Sequence, residues 1–277
     1  MSDPLDDVRL WPGRAAVAWA DTAGPPTKGS EGWSGPVEEP FPWASVTKLV
    51  SAVAVWVAVE EGTAAWEDPV GPPGSTLAHL LAHASGLAAN SDRVLAVPGT
   101  RRVYSNRGFE VAAEHVAAAS GLPFATYATE AVLNPLGMGT TEMAGSPASG
   151  ASGPLTDLMR LARELASPTL VSPATHREAT AVCFPGLAGV LPGFGPQESN
   201  DWGLGVEIRD GKAPHWTGAT NNPATFGHFG RSGSLLWVDP VASIVMVSLS
   251  DLPFGPWAAD AWPRLADSVL QGAASGA

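Results

Sequence analysis

Cysteine is almost missing from this 277-residue chain: Cys183 stands alone, so no disulfide can form within it. Lysine is scarce too, with three residues against twelve arginines. Basic side chains number 15 against 27 acidic ones, and the formal net charge is -12. That balance excludes the basic surface through which a protein holds nucleic acid or an anionic membrane. No apolar run is long enough to cross a bilayer, since the longest, Leu49 to Val59, is broken by Ser51. The opening residues, M-S-D-P-L-D-D, are acidic and lack the apolar core of a secretory signal, which implies a cytoplasmic protein.

Hydrophobic residues make up 45% and charged residues 15% of the chain, a globular composition. The length suits one large domain or two interleaved ones. Residues 8–20 read as a strand or hairpin. Ser45 opens a Val- and Ala-rich run that Gly62 closes, and its length predicts a buried helix. Further helical patterns cover 76–83, 108–120, 124–134 and 155–166, the last strongly amphipathic. From Trp202 the texture changes to W-G-L-G-V-E-I-R, a predicted strand, and to a hairpin that turns at Asp239-Pro240. Residues 255–272 read as a final helix. Strands therefore gather at both ends and helices in the middle. The expected architecture is α/β (α+β), with a discontinuous antiparallel-sheet domain from 1–44 and 195–277. A mainly helical domain, 45–194, is inserted, and the active site is expected at the interface.

Three short stretches carry chemistry. S-V-T-K at 45–48 sets Ser45 and Lys48 three residues apart, one face of a helix. Ser45 could simply cap that helix and Lys48 could be a solvated charge. A cation at a helix N-terminus is unfavourable, however, and a buried, neutral lysine could take a serine proton. Y-S-N at 104–106 supplies Tyr104 and Asn106, and H-F-G at 228–230 supplies His228, Phe229 and Gly230. Taken singly, a buried tyrosine, a turn asparagine and a strand histidine are ordinary structural residues. His79 and His83, four apart, lack H-E-x-x-H and a third ligand, so no metal or other cofactor is expected. G-x-S-x-G and G-x-x-x-x-G-K-[ST] are absent, which removes the nucleophile-elbow hydrolase and nucleotide-binding readings.

In their order and spacing, S-V-T-K, Y-S-N and H-F-G resemble the motifs of serine hydrolases in the penicillin-binding-protein and class C β-lactamase superfamily. L-L-A-H-A-S-G-L at 80–87, N-P-L-G-M at 134–138 and P-L-T-D-L at 154–158 add to the likeness, which runs from about Arg14 to the C-terminus. The resemblance implies a β-lactamase/transpeptidase-like fold and an acyl-enzyme on Ser45. Lys48 and Tyr104 would share the general-base work, and Asn106 would bond Lys48 and the substrate. The backbone N–H groups of Ser45 and Arg231, beside Gly230, would form the oxyanion hole. His228 replaces the usual lysine, so a positive field is expected to fade above its pKa. Phe229 replaces a hydroxyl that grips the substrate carboxylate, and Arg231 could substitute for it. The expected partner is a small ester, amide or β-lactam, with esters preferred. A D-amino-acid peptidase, a weak β-lactamase and a non-catalytic binding protein on the same fold are the alternatives.

Overall fold

The computed structural model describes residues 5–25, 27 and 29–276; residues 1–4 of the acidic N-terminus lie outside them. A 3₁₀ turn at Asp6–Leu10 precedes β1 (Ala15–Asp21), β2 (Glu31–Ser34) and β3 (Phe41–Pro42). A second 3₁₀ turn, Ala44–Val46, leads into α1 (Thr47–Glu60). Three helices follow: α2 (Leu77–Leu81), α3 (Asn106–Ser120) and α4 (Phe124–Ala128), which a π turn at Thr129–Leu133 extends. Next come β4 (Glu142–Met143), β5 (Ala151–Gly153), α5 (Leu155–Ala166) and α6 (Pro173–Thr180). β6 (Gly189–Leu191) and β7 (Gly195–Gln197) form a separate hairpin. β8 (Glu207–Ile208), β9 (Phe226–Gly230), β10 (Ser234–Asp239), β11 (Ile244–Ser250) and α7 (Pro256–Gly276) complete the chain.

Six strands form one antiparallel sheet in the order β2-β1-β11-β10-β9-β8, so strands from both ends of the chain build it. It is apolar on both faces. Ala16, Ala18 and Ala20 of β1 share a core with α1, α3 and α5, whereas Ala15, Val17 and Trp19 join α7 on the other side. The same alternation runs through β10, where Leu236 and Val238 oppose Leu235 and Trp237. A period of two residues sends alternate side chains to opposite faces, so each strand feeds two cores. In β9 this parity puts Phe229 with the α7 core and His228 on the face toward α1.

The helix over 155–166 has the limits its periodicity predicts. The strand expected over 202–209 shrinks to β8, because Gly203 to Gly205 cross α1 at close range. A Cβ on Gly205, at φ +101, would meet Ala52 Cβ at 2.3 Å. The short helix α6 and the β6–β7 hairpin have no strong periodic signal and go unread in the sequence.

Candidate active site

The turn that carries Ser45 is fixed through Trp43. Its backbone N–H donates to Ala151 O at 2.9 Å, its indole N–H to Gly153 O at 3.0 Å, and its carbonyl accepts from Ser234 Oγ at 2.7 Å. The end of β9 presses against this turn. A Cβ on Gly230 would lie 2.5 Å from Trp43 O and 3.1 Å from Ala44 Cβ, so only glycine fits. Ser45 does not cap α1: the N-cap is Val46, without a side-chain bond, and Ser45 sits in the preceding 3₁₀ turn.

Lys48 is fully buried in the first turn of α1. Its Nζ lies 3.4 Å from Ser45 Oγ, 2.6 Å from Asn106 Oδ1 and 2.9 Å from Ala148 O. Neighbouring polar groups of α1 are met by the same segment: Thr47 Oγ1 accepts from Ala151 N, and Ser51 Oγ donates to Pro147 O. Burial lowers the Lys48 pKa to about 7, with Glu110 pulling weakly the other way. The neutral amine is therefore accessible near neutral pH.

Tyr104 precedes α3, whose N-cap Ser105 accepts from Gly108 N at 2.9 Å. His83, in a left-handed conformation at φ 54, accepts the Ser105 N–H on Nδ1 at 3.1 Å and packs 4.6 Å from the Tyr104 ring. The bend at 80–87 thus places Tyr104 and Asn106. The Tyr104 hydroxyl faces Ser45 and lies 3.4 Å from His228 Nε2. Burial raises its pKa further above that of an ordinary phenol. His228 donates Nδ1–H to Phe229 O at 2.7 Å, which leaves Nε2 to accept from Tyr104. Burial, then the charge of Lys48, lowers the His228 pKa to about 3. The positive field that the sequence leads one to expect to fade above the histidine pKa is therefore already gone over the working pH range, because the imidazole is neutral.

Phe229 packs between Phe254, at 5.0 Å between ring centroids, Phe194 and Trp216, both at 5.7 Å, and Trp262 at 6.0 Å. Arg231 is exposed at the cavity mouth and makes no side-chain hydrogen bond or ion pair with any described residue. The backbone N–H groups of Ser45 and Arg231 likewise have no partner among the described residues. Asn106 adds a bond from Nδ2 to Asn90 Oδ1 at 2.9 Å.

Ser45, Tyr104, Asn106, His228, Phe229 and Arg231 all border one cavity of about 240 Å³. Sequence reasoning missed its remaining walls: Ala89, Leu191, Pro192, Trp202 and Glu207. Glu207 is buried and bonds His215 Nε2 at 2.9 Å and Trp216 Nε1 at 2.6 Å, with Lys212 Nζ at 3.3 Å. Burial alone would push its carboxyl up, but Lys212, His215 and Trp216 more than offset this and hold it at about 2. The scarcity of lysine was the available signal, because both described lysines are buried. Behind the cavity, the buried Arg102 donates to Asn200 O at 3.1 Å, Ala82 O at 2.6 Å and Phe184 O at 2.7 Å, and also to Cys183 O.

Comparison with known proteins places this geometry. The Beta-lactamase family model matches residues 13–271. A β-lactamase structure from Mycobacterium bovis is 50% identical, covering 98% of this chain and 99% of that one, with a TM-score of 0.94. Simvastatin synthase from Aspergillus terreus shares the fold at 16% identity and a TM-score of 0.76, covering 99% and 96% of the two chains. The D-alanyl-D-alanine-carboxypeptidase/endopeptidase of Escherichia coli is 28% identical over 141 residues, 38% of this chain and 37% of that protein. The match therefore spans well under half of that curated relative.

Proposed function

The chain belongs to the Beta-lactamase family, and we propose that it is a serine hydrolase that cleaves small esters or amides through an acyl-enzyme on Ser45. Lys48 carries the reading. As a neutral amine it has two N–H bonds, and Asn106 Oδ1 and Ala148 O accept them. Its lone pair is then left for the Ser45 hydroxyl, 3.4 Å away. Burial lowers the pKa to about 7, so this form is available near neutral pH.

The steps follow from these positions. Ser45 Oγ attacks the substrate carbonyl while its proton passes to Lys48, directly or through the Tyr104 hydroxyl once that hydroxyl turns from His228 Nε2 toward the amine. Tyr104 stays a phenol and serves as a relay, because burial opposes its ionisation. The free N–H groups of Ser45 and Arg231 hold the oxyanion. The proton then returns to the leaving group, and water repeats the sequence on the acyl-enzyme in reverse.

The substrate preference rests on Phe229. A phenyl ring locked among Phe254, Phe194, Trp216 and Trp262 gives no hydroxyl for a substrate carboxylate. Losing a hydrogen bond to a charged group costs about 1.5–3 kcal/mol. An activated ester needs no such anchor. A second reading, a weak β-lactamase or D-amino-acid peptidase, is favoured by the unpaired Arg231 at the mouth and by the family itself. The deciding test is kcat/KM on p-nitrophenyl butyrate beside nitrocefin at one pH, with Ser45→Ala as the blank. Faster nitrocefin turnover would reject the esterase reading in favour of the second one. A fluorophosphonate label should map to Ser45, and its appearance on Ser85 or Ser232 would refute the site.

A further inference from the structure

We propose that the enclosed end of the cavity is an acyl-chain pocket whose depth is set by Trp202 facing Leu191, and that it takes aliphatic acyl groups of about four to six carbons. The proposal rests on Ser45 being acylated. Its own footing is the shape and polarity of the space around that serine.

The cavity has a closed side and an open side. Leu191 and Trp202 are buried at 1% and 2% exposure, whereas Ala89, Pro192 and Arg231 are exposed. A leaving group must escape to water and water must take its place, so the leaving group faces the open side. The retained acyl group then occupies the closed side. The buried lining residues there are Leu191, Trp202 and Phe229 together with Glu207 and His228. Glu207 is engaged by His215, Trp216 and Lys212, and His228 by Tyr104 and Phe229 O, so the chain meets mostly carbon. Apolar lining favours an aliphatic chain over a polar one.

Volume sets the size limit. A drug-sized ligand needs a pocket of about 300–1,000 Å³, and the whole cavity here measures about 240 Å³. An apolar cavity of about 150 Å³ holds benzene. The space therefore fits the reacting carbonyl and, on its closed side, an acyl chain of a few carbons.

The two walls differ in how firmly they are held. Trp202 is gripped on several sides: its ring lies 4.5 Å from His83, 5.4 Å from His228 and 6.0 Å from Tyr104. Its carbonyl also accepts from Cys183 N at 2.8 Å. Leu191 ends β6, in the hairpin that stands outside the main sheet. That hairpin is fastened by Phe194, 5.7 Å from Phe229 and 5.8 Å from Phe254. The rigid indole is the stop, and the hairpin tip is the wall that substitution can move without disturbing Tyr104.

The test is a p-nitrophenyl ester series from acetate to decanoate. Each buried methylene contributes about four-fold. Wild-type kcat/KM should rise about 16-fold from acetate to an optimum at butyrate, or up to about 250-fold to one at hexanoate, and fall at least ten-fold from the optimum by decanoate. Trp202→Ala should move the optimum two or more carbons longer. Leu191→Ala opens the same space from the opposite wall and serves if the indole is needed for folding. Equal rates on butyrate and decanoate in the wild type, or an unmoved optimum in both variants, would overturn the pocket. A binding arm separates the two readings. Calorimetry of butanoic, hexanoic and decanoic acids with Ser45→Ala should rank hexanoate tightest, and Trp202→Ala in that background should favour decanoate. Chain-ordered binding without any wild-type turnover would reject the acyl-enzyme and keep the pocket. Binding without chain order would reject the pocket.

Discussion

Lys48 Nζ stands 2.6 Å from Asn106 Oδ1, closer than its 3.4 Å to Ser45 Oγ. The amide oxygen therefore orients the amine, and the serine receives what remains of its bonding capacity. Asn106→Ala frees that N–H to compete for Ser45 and should lower kcat about 10²-fold, with a smaller change in KM. Single-turnover acylation kinetics would show this.

The acidic limb of the rate profile should lie near pH 7, because neutral Lys48 is the active form and burial places its pKa there. Glu110 raises that pKa. Glu110→Gln should then move the limb to lower pH, and a shift to higher pH would contradict the assignment of the base. Lys48→Ala and Tyr104→Phe should each cost about 10²-fold or more in acylation.

The same shift predicts a stability slope. Lys48 falls from 10.5 unfolded to about 7 folded, so between these values the unfolded chain binds the extra proton. Stability from this group should rise with pH across that window, by at most about 1.4 kcal/mol per unit. The difference between wild type and Lys48→Met in urea denaturation at pH 7, 8.5 and 10 isolates it. A flat difference would mean that the folded amine keeps its proton.

His228 should contribute no limb near 6.5, since burial holds its pKa at about 3. Nitrogen-detected NMR at pH 5 should find a neutral ring with the proton on Nδ1, the atom that faces Phe229 O.

Glu207→Leu would strand Lys212 and His215 in the interior. Breaking a buried pair typically costs about 3–5 kcal/mol. Urea midpoints should fall accordingly, and an unchanged midpoint would show that Lys212 finds other partners.

The strands and helices were legible where one period or one unbroken apolar run dominated. α5 repeats its apolar face cleanly over 155–166, and β10 and β11 are apolar runs on either side of a proline turn, buried at every position. The proposed catalytic trio of Ser45, Lys48 and Tyr104, with His228 beside it, was legible because all four sit in short motifs. The cavity walls were not. Leu191 and Trp202 look like any core residue in sequence, and only their meeting across 240 Å³ of space distinguishes them. Glu207 was hidden for another reason. Its role depends on Lys212 and His215, which reach it through a loop with no periodicity. The downward shift of the His228 pKa was not legible, because burial is a property of the packed molecule.

Arg102 gives a chain with a single cysteine something close to a covalent rivet. One guanidinium gathers four carbonyls from three remote stretches, next to His83 on one side and before Trp202 on another. Burial draws its pKa down to about 10, still well above neutrality, so the charge persists. Unlike a disulfide, this fastening needs no oxidant to form and no reductant can open it. Unlike lysine, whose ammonium carries three donors, arginine has five in a fixed plane and can hold all four acceptors at once. The wall of the cavity thus keeps its shape whatever the redox state of its surroundings.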